Sequence, residues 1–159
     1  MISRSCDHRS GAPRVIRRFA PGKTNLRLKV TARRGDGYHE LETLFLPLRT
    51  PGDVITLTID PTGHGIRVNS DHPGIPDGPG NICWKAAERY CQAANLTSGG
   101  HIAIHIAKTI PVAAGLGGGS ANAAAVLLGL QEYFQALSAE ELAAVAVGIG
   151  ADVPFFLHA

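Results

Sequence analysis

"PVAAGLGGGSANAAA", residues 111–125, is the stretch on which the fold turns. Pro111 closes a strand-like pattern, four glycines and a serine follow, and a run of alanines opens a helical one. Glycines let successive backbone N–H groups turn inward without Cβ obstruction. A helix beginning near Ser120 adds its own unpaired N–H groups and the positive end of its dipole. The guest such a loop suits is an anion, phosphate above all. Alanines at 121 and 123–125 let that helix lie close to a sheet, which fixes the direction of its N-terminus. A flexible linker is the bland alternative, but linkers rarely join a proline-terminated strand to a strongly patterned helix.

Two familiar phosphate motifs fail. The "GKT" at Gly22 to Thr24 lacks the upstream glycine of a P-loop, because Arg17 stands there. Counting a dinucleotide fingerprint from Gly115 puts Ser120 where its last glycine belongs.

Outward from the loop, "HIAIHIAK" (101–108) alternates, with Ile102, Ile104 and Ile106 on the core side and His101 and His105 opposite. Those histidines are four residues apart, about 13 Å along a strand, too far for one ion. No metal site is expected. "VITLTID" (54–60) alternates likewise through Ile55, Leu57 and Ile59, and residues 15–50 read as strands with Leu26, Leu28 and Val30 on one face. "RRGDG" (33–37) reads as a tight turn. Asn81 stands as an N-cap before a helix with Ile82, Ala86, Ala87, Tyr90, Cys91 and Ala94 on one face. Ala123, Leu127, Leu130 and Phe134 stripe the helix after the glycines. Ser138 and Glu141 carry capping-box spacing for a last helix that ends near Gly148. The order predicts an α+β domain, a mainly antiparallel sheet with helices packed on one face.

At 159 residues the chain is the size of one domain, and 45% hydrophobic with 18% charged residues excludes a chain disordered throughout. A net charge of +2 is too small for a nucleic-acid footprint, and no apolar run nears the roughly 20 residues of a membrane span. Three cysteines, Cys6, Cys83 and Cys91, form neither a disulfide scaffold nor a CxxC. A cytoplasmic location is the expectation, with neither nucleic acid nor membrane as partner. Residues 1–15 are expected to be a disordered basic tail rather than a transit peptide.

Three blocks, "APGKTNLRLKVTARRGDGYHELETLF" (20–45), "IPVAAGLGGGSANAAAVLLGL" (110–130) and "GADVPFFL" (150–157), together resemble the GHMP kinase superfamily, in that family's order and spacing. "DGYHELET" points within it to the branch that phosphorylates a cytidine-diphosphate derivative of methylerythritol, in the non-mevalonate route to isoprenoids. The resemblance implies an N-terminal ATP-binding domain over residues 16–159, a fold shared with a ribosomal-protein domain. It implies ATP as phosphoryl donor, with Mg²⁺ carried mainly by its phosphates.

By the same resemblance, Pro111, Ala113, Ala114, Gly115, Leu116, Gly117, Gly118, Gly119, Ser120 and Ala121 wrap the phosphates, with Asn81 and Lys108 near the nucleotide. Lys23 and Asp152 are the catalytic pair at the acceptor hydroxyl, and Asn25, Tyr38 and His39 hold the substrate. Gly22, Thr24 and Ala121 depart from the usual alanine, aliphatic residue and second serine.

Family members also carry a C-terminal domain that closes over the cleft. With that domain absent, this chain alone is expected to turn over weakly or not at all, and to self-associate through an exposed patch at Phe155, Phe156 and Leu157. The alternatives are a nucleotide-binding fragment without catalysis and another small-molecule kinase of the superfamily.

Overall fold

The computed structural model describes residues 11–33, 39–96 and 100–159. Two long strands, β1 (Arg14–Arg33) and β2 (His39–Asp60), pair antiparallel from Arg14 opposite Ile59 to Arg33 opposite His39. β3 (Gly65–Ser70) and β4 (His101–Ala107) complete a four-stranded sheet of order β1-β2-β4-β3. β4 runs antiparallel to β2 and parallel to β3. Helices α1 (Ile82–Ala93), α2 (Gly118–Phe134) and α3 (Ala139–Ile149) follow the expected positions. Short 3-10 turns occupy Gly78–Gly80 and Pro154–Leu157. This is the α+β architecture the sequence predicts, with one strand it did not. β3, "GIRVNS", has too short an alternation to stand out, and α1 carries the chain from it across to its parallel neighbour β4.

The period-2 face of β2 and β4 is buried as predicted. Ile55, Leu57, Ile59, Ile102, Ile104 and Ile106 are at most 1% exposed, each contributing roughly 1.5–3 kcal/mol of hydrophobic stabilisation. α2 lies directly on this face, since a Cβ at Gly129 would collide with Leu57 Cδ1. Ala121 and Ala123–Ala125 are buried in the same contact. Burial runs all round α2 from Ala121 to Leu127, so the stripe read from the sequence is too narrow and its last member, Phe134, is half-buried. A helix enclosed by a sheet, by other helices and by the 154–157 turn has no polar face to keep. On α1 the buried face is Cys83, Ala86, Ala87 and Tyr90, with Ile82, Cys91 and Ala94 at its margin. The capping box of α3 is formed by both Ser138 and Glu141.

The expected burial of Leu26 is overturned: it is 61% exposed, with Leu44 at 58% and Leu46 at 44%. β4 pairs with β2 only from Val54 to Asp60, so β1 and β2 continue past Pro21 and Pro47 as a two-stranded ribbon. Register shifts at Pro21/Lys23 and Asn25/Arg27 turn its side chains, and alternation alone does not bury a ribbon.

The expected exposed patch at the last residues is also corrected. Phe156 is 3% exposed, Phe155 and Leu157 are half-buried, and the Phe155 ring packs 5.1 Å from Phe45 and 5.0 Å from Phe156. The domain covers these rings itself. The sequence-predicted tail lies outside the described residues up to position 10, and β1 already begins at Arg14. The predicted turn at 33–37 lies outside them from position 34 on, and Arg33 ends β1.

Candidate active site

The chain leaves β4 at Ala107, crosses residues 108–117 and enters α2 at Gly118. Three residues of this crossing take positive φ, Ala113 at 60°, Gly115 at 74° and Gly117 at 71°. Alternating left- and right-handed residues curl backbone amides toward a common centre. Gly117 is the N-cap of α2 and supplies no side-chain cap. The first-turn amides of Gly118, Gly119 and Ser120 are therefore left for another acceptor. They border a cleft of about 400 Å³ that also reaches Asn81, Ile82 and Lys108. Helix dipole and inward amides make this end of the cleft electropositive without any side chain.

Lys23 is not among the residues lining this cleft; it stands buried against Gly117, where β1 shifts register after Pro21. Its backbone N–H donates to Leu116 O at 2.8 Å, which ties β1 to the glycine loop. Its side chain runs under that loop, because a Cβ on Gly117 would come within 3.0 Å of Lys23 Cγ and 3.0 Å of Phe156 Cζ. The ammonium donates to Asn25 Oδ1 at 2.6 Å, lies 3.5 Å from Asp152 Oδ2, and sits 4.5 Å from the centre of the Phe45 ring. Asn25 in turn donates to Thr43 Oγ1 at 2.8 Å. Asp152 is held at the turn after α3 by Val153 and Phe156, both buried, while its own side chain keeps 33% exposure. A buried ammonium beside a carboxylate that still reaches solvent is an arrangement open to a third polar group.

The two remaining nucleotide candidates are engaged within the fold. Asn81 Oδ1 accepts from Cys83 N at 2.8 Å as the cap of α1, and its Nδ2 donates to Pro76 O at 2.7 Å. Lys108 Nζ donates to Asp53 Oδ2 at 2.5 Å. Both still line the cleft. Tyr38 lies outside the described residues, and His39 opens β2 opposite Arg33. Gly22 is buried where β1 shifts register, and a Cβ there would meet Pro51 O at 3.3 Å.

Sequence reasoning missed four groups. Asp53 is wholly buried and accepts from Lys108 Nζ and from the amides of Thr109 (2.7 Å) and Ile110 (2.8 Å). Its only signal is an acid just before a clean alternation. Asn122, 3% exposed with Oδ1 unpartnered, borders the cleft, and one polar residue inside an alanine run was its signal. Thr43 and Phe45 are brought in by strand register, for which no local signal exists. Cys83 also borders the cleft, but burial first, and then the Asp53 carboxylate, push its thiol up to about 12. It is no nucleophile at neutral pH.

Residues 81–159 match the family model of the GHMP kinases N terminal domain. With the sheet, helix order and glycine loop described above, this places the chain in the GHMP kinase family, in the fold of its N-terminal domain. The particular relatives are more specific. It is 50% identical over 139 residues to 4-diphosphocytidyl-2-C-methyl-D-erythritol kinase of Geobacter metallireducens, covering 87% of this chain and 48% of that one. It is 46% identical over 141 residues to the enzyme of the same name from Citrifermentans bemidjiense, covering 87% and 49%. A crystal structure of 4-(cytidine 5'-diphospho)-2C-methyl-D-erythritol kinase superposes with a TM-score of 0.73 at 44% identity, over 89% of this chain and 48% of that one. The chain thus spans about half the length of the relatives it matches.

Proposed function

We propose that this chain is the ATP-binding half of a small-molecule kinase that transfers the γ-phosphoryl group of ATP to the 2-hydroxyl of 4-diphosphocytidyl-2-C-methyl-D-erythritol. The observation that carries the reading is the contact between Lys23 and Asp152, 3.5 Å apart, with Lys23 itself bonded through its backbone to the glycine loop. Phosphoryl transfer has a loose transition state, so a protein contributes mainly by positioning the partners and compensating charge. In this reading the amides of residues 115–120 hold the phosphates. Asp152 accepts or aligns the hydroxyl proton, and the Lys23 ammonium stabilises the developing alkoxide. Asn25 Oδ1 and the Phe45 ring hold that ammonium in place, the ring through its negative face.

Among the described residues no group of three His, Cys, Asp or Glu could cage a metal ion. Mg²⁺ would be carried by the ATP phosphates and water, where it would offset their charge. Tyr38 and His39 are assigned to the cytidine end of the substrate, Asn25 to its methylerythritol end, and Asn81 and Lys108 to the walls around the nucleotide. The domain assignment follows: residues 16–159 form the ATP-binding domain and a second domain completes the active site.

A coupled assay of ADP release with that substrate tests the reading, using this chain with and without a separately expressed C-terminal half of a relative. Turnover is expected with the second half and is lost in Asp152→Asn. Turnover that survives Asp152→Asn, or that needs no cytidine substrate, overturns it. Calorimetry that finds nucleotide binding without turnover in either arm would favour a nucleotide-binding fragment instead.

A further inference from the structure

Asp53 has no place in the chemistry above, yet it is the most enclosed charged group described, with 0% exposure. Burying a carboxylate is costly unless every lone pair finds a donor. Here one oxygen takes the amides of Thr109 and Ile110 and the other takes the Lys108 ammonium. These three donors come from consecutive residues, the ones that lead from β4 into the glycine loop. Asp53 itself sits at a junction, paired in register with Ala20 of β1 and directly before Val54, which pairs with Ala107 of β4. The same segment is fastened on its other side, where Asp71 Oδ1 accepts from Lys108 N at 2.9 Å.

Beyond Ile110 the loop is next fastened at Leu116, by the amide of Lys23. Residues 111–115 are suspended between these two ties. The Lys108 ammonium also lies against the start of α2, since a Cβ on Gly118 would come 3.1 Å from Nζ. A cation beside a positive helix end is unfavourable alone, and the Asp53 carboxylate offsets it.

We propose that Asp53 is a positioning residue for the phosphate loop: by gathering Lys108, Thr109 and Ile110 it sets where the loop leaves the sheet, so that the amides of residues 115–120 converge on a nucleotide's phosphates. The Lys108 ammonium serves that anchor rather than a phosphate. This rests on the reading of the loop as a nucleotide cradle.

The test compares two ligands, a non-hydrolysable ATP analogue with Mg²⁺ and adenosine, by calorimetry on the full chain. Asp53→Asn keeps the shape but sets an NH₂ donor against donors. It is expected to weaken the analogue ten-fold or more while changing adenosine affinity less than three-fold. Ile59→Ala, at the far end of the sheet, is the control for general destabilisation and is expected to leave the ratio of the two affinities unchanged. Had Asp53 served only as a counter-ion, its loss would free an ammonium for the phosphates. Tighter analogue binding in Asp53→Asn therefore overturns the proposal, as does an unchanged ratio. Should Asp53→Asn not fold, Lys108→Met is read by amide exchange alone, because Lys108 lines the cleft and its loss could weaken a ligand directly. Wild-type chain that binds neither ligand counts against the nucleotide reading instead. Amide exchange then decides the positioning role, with faster exchange at residues 109–120 expected in either variant and no change overturning.

Discussion

Among the described residues two lysines with enclosed side chains each face an aspartate, and the pairs differ in geometry and exposure. Lys108 and Asp53 are 2.5 Å apart, the carboxylate is sealed from solvent, and it has two amide donors besides. Lys23 and Asp152 are 3.5 Å apart, the carboxylate is one-third exposed, and the ammonium shares itself with an amide oxygen and an aromatic face. The Asp53 carboxylate, with three donors on its two oxygens, is saturated and serves the fold. The Asp152 carboxylate still reaches solvent beside an ammonium and can admit a hydroxyl. Charge and residue type are the same in both; saturation separates construction from chemistry.

That contrast breaks if the two aspartates behave alike. Asp152→Asn is expected to lower turnover of the complemented enzyme by on the order of 10²–10⁴-fold. In a urea titration it should lower stability by less than about 1 kcal/mol, as for a partly exposed pair. Asp53→Ala is expected to do the reverse in a urea titration, costing about 3–5 kcal/mol because it strands a buried ammonium. Gly117→Ala probes the boundary between the two regions. A left-handed alanine 3.0 Å from Lys23 Cγ and from Phe156 should cost about 1–3 kcal/mol and weaken nucleotide binding measured by calorimetry.

Ser138→Ala, remote from both pairs, should cost about 1 kcal/mol through its capping box and leave nucleotide affinity unchanged. A further effect lies in alkali. Burial raises Tyr90 from 10 to about 12, so the folded state favours its phenol. That contribution is intact below pH 10 and lost as pH climbs toward 12. Urea midpoints across this window should fall, and Tyr90→Phe should flatten the fall.

The same division governs what could be read from the residues. Ile55 to Ile59 and Ile102 to Ile106 announce their buried face because each strand has neighbours on both sides and helices above, so local period and burial agree. Lys23 and Asp152 were named from motifs, and the fold brings them into contact. Leu26 has the same alternation but sits in a ribbon with nothing over it, and exposure there depends on how far β4 extends. Asp53 is invisible for a related reason. Its donors lie more than fifty positions away, and no local pattern marks an acid that a distant turn will enclose. Lys108 was foreseen at the cleft wall, but its partner was not.

The bond from the Lys23 amide to the Leu116 carbonyl has a consequence for how such a domain diversifies. It makes the spacing between ammonium and phosphate loop a property of the main chain, indifferent to which side chains decorate the ribbon beyond Asn25. Under the proposed function, the outer ribbon could then be rewritten for a new acceptor molecule while the gap to the phosphates kept its gauge. One amide would separate the ribbon assigned to the substrate from the loop assigned to the phosphates.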